Sequence, residues 1–276
     1  MAVNIHPTAL ISPGAELGDN VCIGPCACID DNVIIGDGTR VDGFATIRPY
    51  TRLGRNNHVF SYAMVGEVPQ DLKFSGEVTW LEVGDNNRIR EFSTLHRGTE
   101  GGGGLTKVGN NCLFMAYTHV AHDCKVGSGV IMSNGATLAG HVEVADNAII
   151  GGLSAIHQFV RVGRNAFVGG MTGIAMDLPP YMLAAGVRPG IQGVNSVGLR
   201  RLNLPKENLA AIRAAFKLIW LSGIPRKEAL EKAAEEFAAV PQVMEILDFV
   251  RSSQRGVMAA DRSVPAQEQT QSPNQG

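Results

Sequence analysis

The sequence is short of cysteine, of net charge and of long apolar runs, and each shortage excludes something. Its five cysteines, Cys22, Cys26, Cys28, Cys112 and Cys124, are odd in number and form no CxxC pair, which fits a reducing compartment and leaves no metal-type cysteine spacing. A formal net charge of -2 excludes nucleic-acid binding through bulk charge. No apolar run is long enough to span a bilayer, and no basic region followed by an apolar stretch opens the chain. A cytoplasmic protein without an integral membrane segment is expected.

What the sequence does have is a rhythm. An aliphatic or large apolar residue returns every sixth position, from Ile5, Ile11, Leu17, Ile23 and Ile29 to Val144, Ile150, Ile156, Val162, Val168 and Ile174. A small or turn-forming residue often follows, as in Ile23-Gly24, Val126-Gly127 and Val162-Gly163. Hexapeptide periods belong to the parallel β-helix class, in which about three hexads make one coil of a triangular prism. Each coil buries its neighbour's aliphatics, so the stack grows along one axis. An ordinary β-sandwich is the competing fold, but irregular strands would not hold phase over so many repeats.

The period predicts a β-helix over residues 1–190, with loops at 67–80 and 99–107 where it breaks. The second break adds about seven residues and carries Gly101-Gly102-Gly103-Gly104, which reads as a flexible loop. Such loops are either tolerated surface insertions or the place where function sits. After Pro179-Pro180 the period becomes helical, with Leu209, Ile212, Phe216 and Ile219 at three and four spacing and proline at the helix starts. A small helical domain is therefore expected over 191–256. The Gln-, Ser- and Pro-rich stretch 257–276 is expected to be disordered.

The period is also a ruler. With coils about 18 residues apart, Asp123 and His141 share one column, His122 and Gly140 the next, and His157 the one beside it. Removing the second insertion brings His96 into the His157 column. Four histidines thus line one prism edge at a rise of about 4.8 Å per coil, with His119 close by. One corner histidine is an ordinary surface residue, whereas four on an edge suit proton transfer near neutral pH. Asp123 can bias the His122 tautomer, although strand neighbours tend to diverge. Gly140 is either a plain corner glycine or a backbone donor for an oxyanion. No serine or cysteine is evidently partnered as a nucleophile, which favours direct transfer.

The runs His119-Val120-Ala121-His122-Asp123-Cys124, Gly102 to Lys107, Ile89-Arg90-Glu91 to Thr99, Gln70-Asp71-Leu72-Lys73, Ala139-Gly140-His141-Val142 and His157-Gln158-Phe159 resemble the acyl-[acyl carrier protein]:UDP-N-acetylglucosamine O-acyltransferases. The resemblance extends over residues 5 to 256. It implies a left-handed helix, a homotrimer with sites between subunits, and transfer of a 3-hydroxyacyl chain from acyl carrier protein to UDP-N-acetylglucosamine, the first step of lipid A biosynthesis. It implies no cofactor and no metal, the acyl chain arriving on the carrier's phosphopantetheine. By the same resemblance His122 is the general base and Gly140 the oxyanion donor. Gln70, Asp71, Lys73, His96, His119, His141, His157 and Gln158 hold nucleotide sugar or acyl-pantetheine, and Asn195 and Arg201 the nucleotide. Phe167 and Gly170 border the acyl groove, Gly170 at its end.

The chain departs from the family pattern at Val197, where an acidic residue is common, at Leu202, where a second basic one is, and at Phe167, which replaces a methionine. For the acidic carrier, Lys73, Arg88, Arg90, Arg97, Lys107 and Arg164 form a candidate basic surface. Two enzymes and a non-catalytic scaffold stand as alternatives. A γ-type carbonic anhydrase shares the prism, but its histidine pair is spaced by five where His119 and His122 are three apart. The sugar N-acyltransferase of the same pathway carries an N-terminal domain with no counterpart before Ile5.

Overall fold

The computed structural model describes residues 3–261, and its strands stack into a parallel β-helix. Three sheets of eleven, nine and eight strands form the sides of the prism, each strand pairing with the one a coil away. The inner column of the eleven-stranded sheet runs Ile5, Ile23, Val41, Val59, Ile89, Phe114, Met132, Ile150, Val168 in register. These are the residues of the sixfold rhythm, and from Ile23 on all are buried. Stacking rather than any single coil makes the core, since each aliphatic contributes about 1.5–3 kcal/mol only when fully covered.

Corners require a left-handed backbone, and asparagine, the residue that best tolerates it, takes that position at Asn20, Asn56, Asn86, Asn111, Asn147 and Asn165. The other two corners spend the same conformation on different chemistry. Phe44, Tyr62, Phe92, Tyr117, Leu153 and Met171 hold it at the corner between the eleven- and nine-stranded sheets, and Asp123, His141 and Phe159 at the corner between the nine- and eight-stranded sheets.

The first insertion interrupts the ladder more than the phase count shows, while the second has the seven extra residues expected. Register advances 30 residues from Val59 to Ile89 and 25 from Ile89 to Phe114, against 18 from Phe114 to Met132. Twelve residues therefore leave the coil at the first break and seven at the second. Val65 to Val83 is one side of the prism plus a loop, because strands Met64–Glu67 and Trp80–Val83 pair within adjacent sheets. Leu105–Val108 is a strand, so the second loop closes by Gly104.

Past the prism, Met182–Ala185 and Gly190–Val194 form an antiparallel pair on the eleven-stranded sheet. Residues 191–194, assigned to the helical domain from sequence, are thus β-structure. Among the described residues four α-helices follow, α1 (Ser196–Arg201), α2 (Lys206–Phe216), α3 (Arg226–Glu236) and α4 (Pro241–Arg251), with α2 running on as a π-helical turn over Lys217–Leu221. Val257 and Met258 are buried, and bridges tie Val257 to Asp177 and Ala260 to Ile191. The start of the expected disordered tail is packed; residues 262–276 lie outside the described residues.

Candidate active site

The corner at His122 is where sequence places chemistry, and the backbone explains why two neighbours meet there. Asp123 has φ 61°, so His122 and Asp123 sit on a left-handed turn rather than on a strand, where their side chains would point apart. His122 Nδ1 lies 2.7 Å from Asp123 Oδ2. Asp123, its side chain only 1% exposed, also accepts the Thr99 backbone N–H at 2.8 Å on Oδ1 and the Thr99 hydroxyl at 2.6 Å on Oδ2. Its own N–H donates to Thr106 Oγ1 at 2.7 Å. With Thr99 donating to both of its oxygens, the carboxylate stands as the acceptor of the His122 Nδ1–H, and Nε2 is left as the free acceptor, the arrangement of a general base.

Gly140 is shaped for this imidazole. Its φ is not left-handed, yet a Cβ there would stand 2.5 Å from His122 Cε1 and 2.7 Å from Nε2. The histidine, not the turn, demands glycine. The coil ladder runs from Ala139 N to Ile156 O and from His141 N to His122 O, passing over the Gly140 N–H beside the base.

The remaining histidines form two layers. His119 bonds Thr94 Oγ1 through Nδ1 at 2.7 Å, and its ring meets His96 edge-on at 4.8 Å. His96 lies in the expected column, but at 3% exposure it sits behind His119, out of direct reach of a ligand on this chain's surface. His141 stacks on Phe159 at 4.5 Å and meets His122 edge-on at 5.1 Å. Burial lowers the pKa of His119 and His141, the nearby Asp123 charge opposing it at His141. Asp71, on the first loop, exerts a weaker pull of the same sign on His141. Cys124 donates to Ala139 O, and burial pushes its thiol up to about 12, so no thiolate nucleophile stands beside the dyad.

Burial lowers His96 to about 4, which has a consequence for stability. The unfolded chain takes up this proton below about pH 6.5 while the fold does not. Stability is therefore expected to fall by about 3 kcal/mol between pH 6.5 and 4 through this one residue. Unfolding midpoints measured across that range should fall less steeply in His96→Gln; identical slopes would refute the assignment.

Arg255 was not visible to the period. It donates from Nε to Ala175 O and from Nη2 to His157 Nδ1, both at 2.8 Å. His157 Nδ1 also lies 3.1 Å from Gln158 O, but one nitrogen cannot both accept and donate. The guanidinium can only donate, so Nδ1 accepts and Nε2 carries the proton. On the first loop Gln70 and Lys73 are exposed, and Asp71 accepts the Lys73 N–H at 3.0 Å.

Phe167 and Gly170 lie elsewhere. Phe167 points outward from the eleven-stranded sheet in the row Leu113, Ile131, Ile149, Phe167, Leu183. Gly170 meets nothing closer than Gly152 O at 3.4 Å, so packing does not require a glycine there. Arg201 is exposed at the end of α1. Asn195 is committed to structure: Oδ1 caps Gly198 N and Nδ2 donates to Asn165 O, each at 2.9 Å. One chain does not bring these four to His122.

The candidate basic surface is smaller in the fold than in the sequence. Arg97 is buried, its guanidinium over Tyr50 and Phe74, while Arg90 pairs with Glu91 and Arg164 with Glu245. Ligand atoms of His122, Asp123 and His141 lie within 4.8 Å of one another. Both Asp123 oxygens already accept protons, so this trio is a hydrogen-bonded dyad with a neighbour rather than an open set of metal ligands.

A hexapeptide prism with a histidine–carboxylate pair at one corner defines a hexapeptide-repeat transferase, and residues 105–140 match the bacterial transferase hexapeptide profile. Residues 177–258 match the profile of UDP-N-acetylglucosamine O-acyltransferase domain 2. The acyl-[acyl-carrier-protein]–UDP-N-acetylglucosamine O-acyltransferase of Thermodesulfovibrio yellowstonii is 45% identical over 253 residues, 92% of this chain and 98% of that one. LpxA from Acinetobacter baumannii superposes with TM-score 0.90 at 42% identity, covering 92% of this chain and 99% of that one. For the Arabidopsis UDP-N-acetylglucosamine acyltransferase the values are 0.83 and 34%, over 92% and 99%. The chain belongs to the acyl-[acyl-carrier-protein]–UDP-N-acetylglucosamine O-acyltransferase family, and its prism is a left-handed parallel β-helix.

Proposed function

We propose that this protein transfers a 3-hydroxyacyl chain from acyl carrier protein to the 3-position of UDP-N-acetylglucosamine, the opening step of lipid A biosynthesis. The observation that carries the chemistry is the His122–Asp123 pair closed over Gly140. His122 Nε2 removes the proton from the sugar hydroxyl as its oxygen attacks the thioester carbonyl. Gly140 N–H faces the developing oxyanion. Collapse forms the ester and expels the carrier thiolate, to which the His122 imidazolium returns the proton. Asp123 holds the ring and stabilises its charge. No cofactor enters this scheme, and no metal.

His119, His141, His157 and Gln158 surround the acceptor in this reading, with Gln70, Asp71 and Lys73 closing from the first loop. His96 supports His119 from behind. Arg201 reaches the nucleotide, and Asn195 shapes that end through its cap. Phe167 and Gly170 set the acyl chain's path and length.

The working unit is a homotrimer. Along one corner Phe44, Tyr62, Phe92, Tyr117, Leu153 and Met171 are 45–77% exposed, with rings stacked at 5.0–5.2 Å. Monomers rarely leave such a stripe to water. With this corner on a threefold axis, the histidine-bearing nine-stranded sheet of one copy faces the Phe167 row of the next. That completes the site. Among the described residues no helix is long and apolar enough to cross a membrane, and a cytoplasmic location is the reading that suits an acyl-carrier substrate.

The test is an acyl-carrier assay offering UDP-N-acetylglucosamine and its 3-amino analogue with a ladder of 3-hydroxyacyl lengths. The hydroxyl sugar is expected to be acylated with one preferred length. Transfer to the amine alone would reassign the acceptor, and no transfer to either would overturn the reading.

A further inference from the structure

The residue whose placement the proposed chemistry does not use is Thr99. It opens the seven-residue insertion that interrupts a single coil, and that insertion folds back onto the catalytic corner instead of trailing into solvent. Thr99 is buried. Its hydroxyl accepts the Gly102 N–H at 3.2 Å, capping the short helix Glu100–Gly102, so its one proton is directed to Asp123 Oδ2 at 2.6 Å. Its backbone N–H takes the other oxygen. Gly102 is pressed so close that a Cβ on it would overlap the Asp123 carboxyl, although its φ is not left-handed. The carboxylate cannot turn about Cβ–Cγ without losing two hydrogen bonds.

We propose that Thr99 is a positioning residue for acyl transfer, holding the Asp123 carboxylate in the orientation that grips His122 Nδ1. This rests on the reading of His122 as base. The glycine-rich insertion is then a clamp: Gly102 follows from contact with Asp123, and Gly103 and Gly104 from their left-handed φ of 94° and 78°. A purely structural role for Thr99 would tie the loop down by the same bonds, so kinetics and pH dependence must separate the two.

Thr99→Val keeps the shape and the backbone N–H bond but removes the hydroxyl; Thr99→Ser restores it. Without the hydroxyl the Asp123 carboxylate loses a bond that fixes its orientation, so the ring is misdirected and turnover falls, while Oδ2, relieved of one donor, draws the His122 proton more strongly. The base is then protonated up to a higher pH. His119 on the adjacent strand, His141 one coil on, His96 behind His119 and Asp71 from the first loop also face the dyad, but they are the same in both variants. In Thr99→Val, kcat is expected to fall about tenfold, the share of one hydrogen bond to a charged group. Both KM values should stay within about twofold, because the hydroxyl touches no substrate. The acidic limb of kcat/KM should move to higher pH, and Thr99→Ser should restore both quantities. If valine destabilises the loop, Thr99→Ser against Thr99→Ala gives the same contrast between two side chains smaller than threonine. Equal kcat and an unmoved limb with and without the hydroxyl would overturn the proposal while leaving His122 as base. An active His122→Ala would overturn both.

Discussion

Replacing His122 with alanine is expected to lower acyl transfer by about 10³-fold, within the range for loss of a general base, with fold and assembly retained. The rate falls because no other group is placed to take the sugar proton. His119 Nδ1 is engaged by Thr94, and His141 stacks on Phe159 with its Nε2 3.6 Å from Asp123 Oδ2. The fold survives because Asp123 does not become an orphan. Thr99 still donates to both of its oxygens, and the lost imidazole lies at a corner, outside the stacked aliphatic core. Some activity should persist from positioning and the Gly140 N–H. The measurement is steady-state turnover beside the thermal midpoint and the oligomeric mass. Turnover within tenfold of the unsubstituted enzyme, at equal stability, would remove His122 from the role of base.

The reach of the sequence is clear at this same corner. A period of six is a geometric instrument, and it put His122 in column with Gly140, Asp123 with His141 and His96 with His157, as strand register does. It could not show direction. His96 and His119 stand two columns apart on successive coils, yet one is buried and the other half-buried, because a column fixes position around the prism and not which way a side chain turns. The Asp123–His122 bond was hidden for a related reason. Alternation along a strand predicts divergence, and only the left-handed φ at Asp123 brings the two together. Thr99 and Arg255 lie outside the repeat, one in an insertion and the other beyond α4, so no count of sixes reaches them. The helical region was legible through its prolines and its three-and-four spacing, whereas Gly190–Val194 was not, being a short strand with no partner in the rhythm. The size of the first loop was hidden by arithmetic: an insertion of twelve is two hexads and leaves the phase unbroken, so only the failure of 67–76 to read as hexads marked it.

The second large effect concerns the aromatic corner. Phe92→Glu is expected to convert the proposed trimer to monomer and to abolish turnover, although Phe92 lies at a different corner from the proton transfer. Its ring stacks between Tyr62 at 5.2 Å and Tyr117 at 5.0 Å, and it is 45% exposed in the single chain. Loss of two such pairs costs an isolated subunit about 1–3 kcal/mol, which a long solenoid core can absorb. In the trimer the same change brings three carboxylates toward one axis in an apolar environment. Like charges there face both desolvation and mutual repulsion. On the proposed site between subunits, activity then falls because Phe167, Gly170 and Arg201 lose the neighbouring copy's histidine face. Sedimentation should show the smaller species, and circular dichroism an intact β-helix. Co-expression separates assembly from catalysis. His122→Ala and Arg201→Ala chains, each inactive or weak alone, should regain activity in mixed trimers, because some interfaces combine an intact His122 with an intact Arg201. If Phe92→Glu stays trimeric, or mixed trimers recover nothing, the site lies within one chain and the aromatic corner serves another purpose.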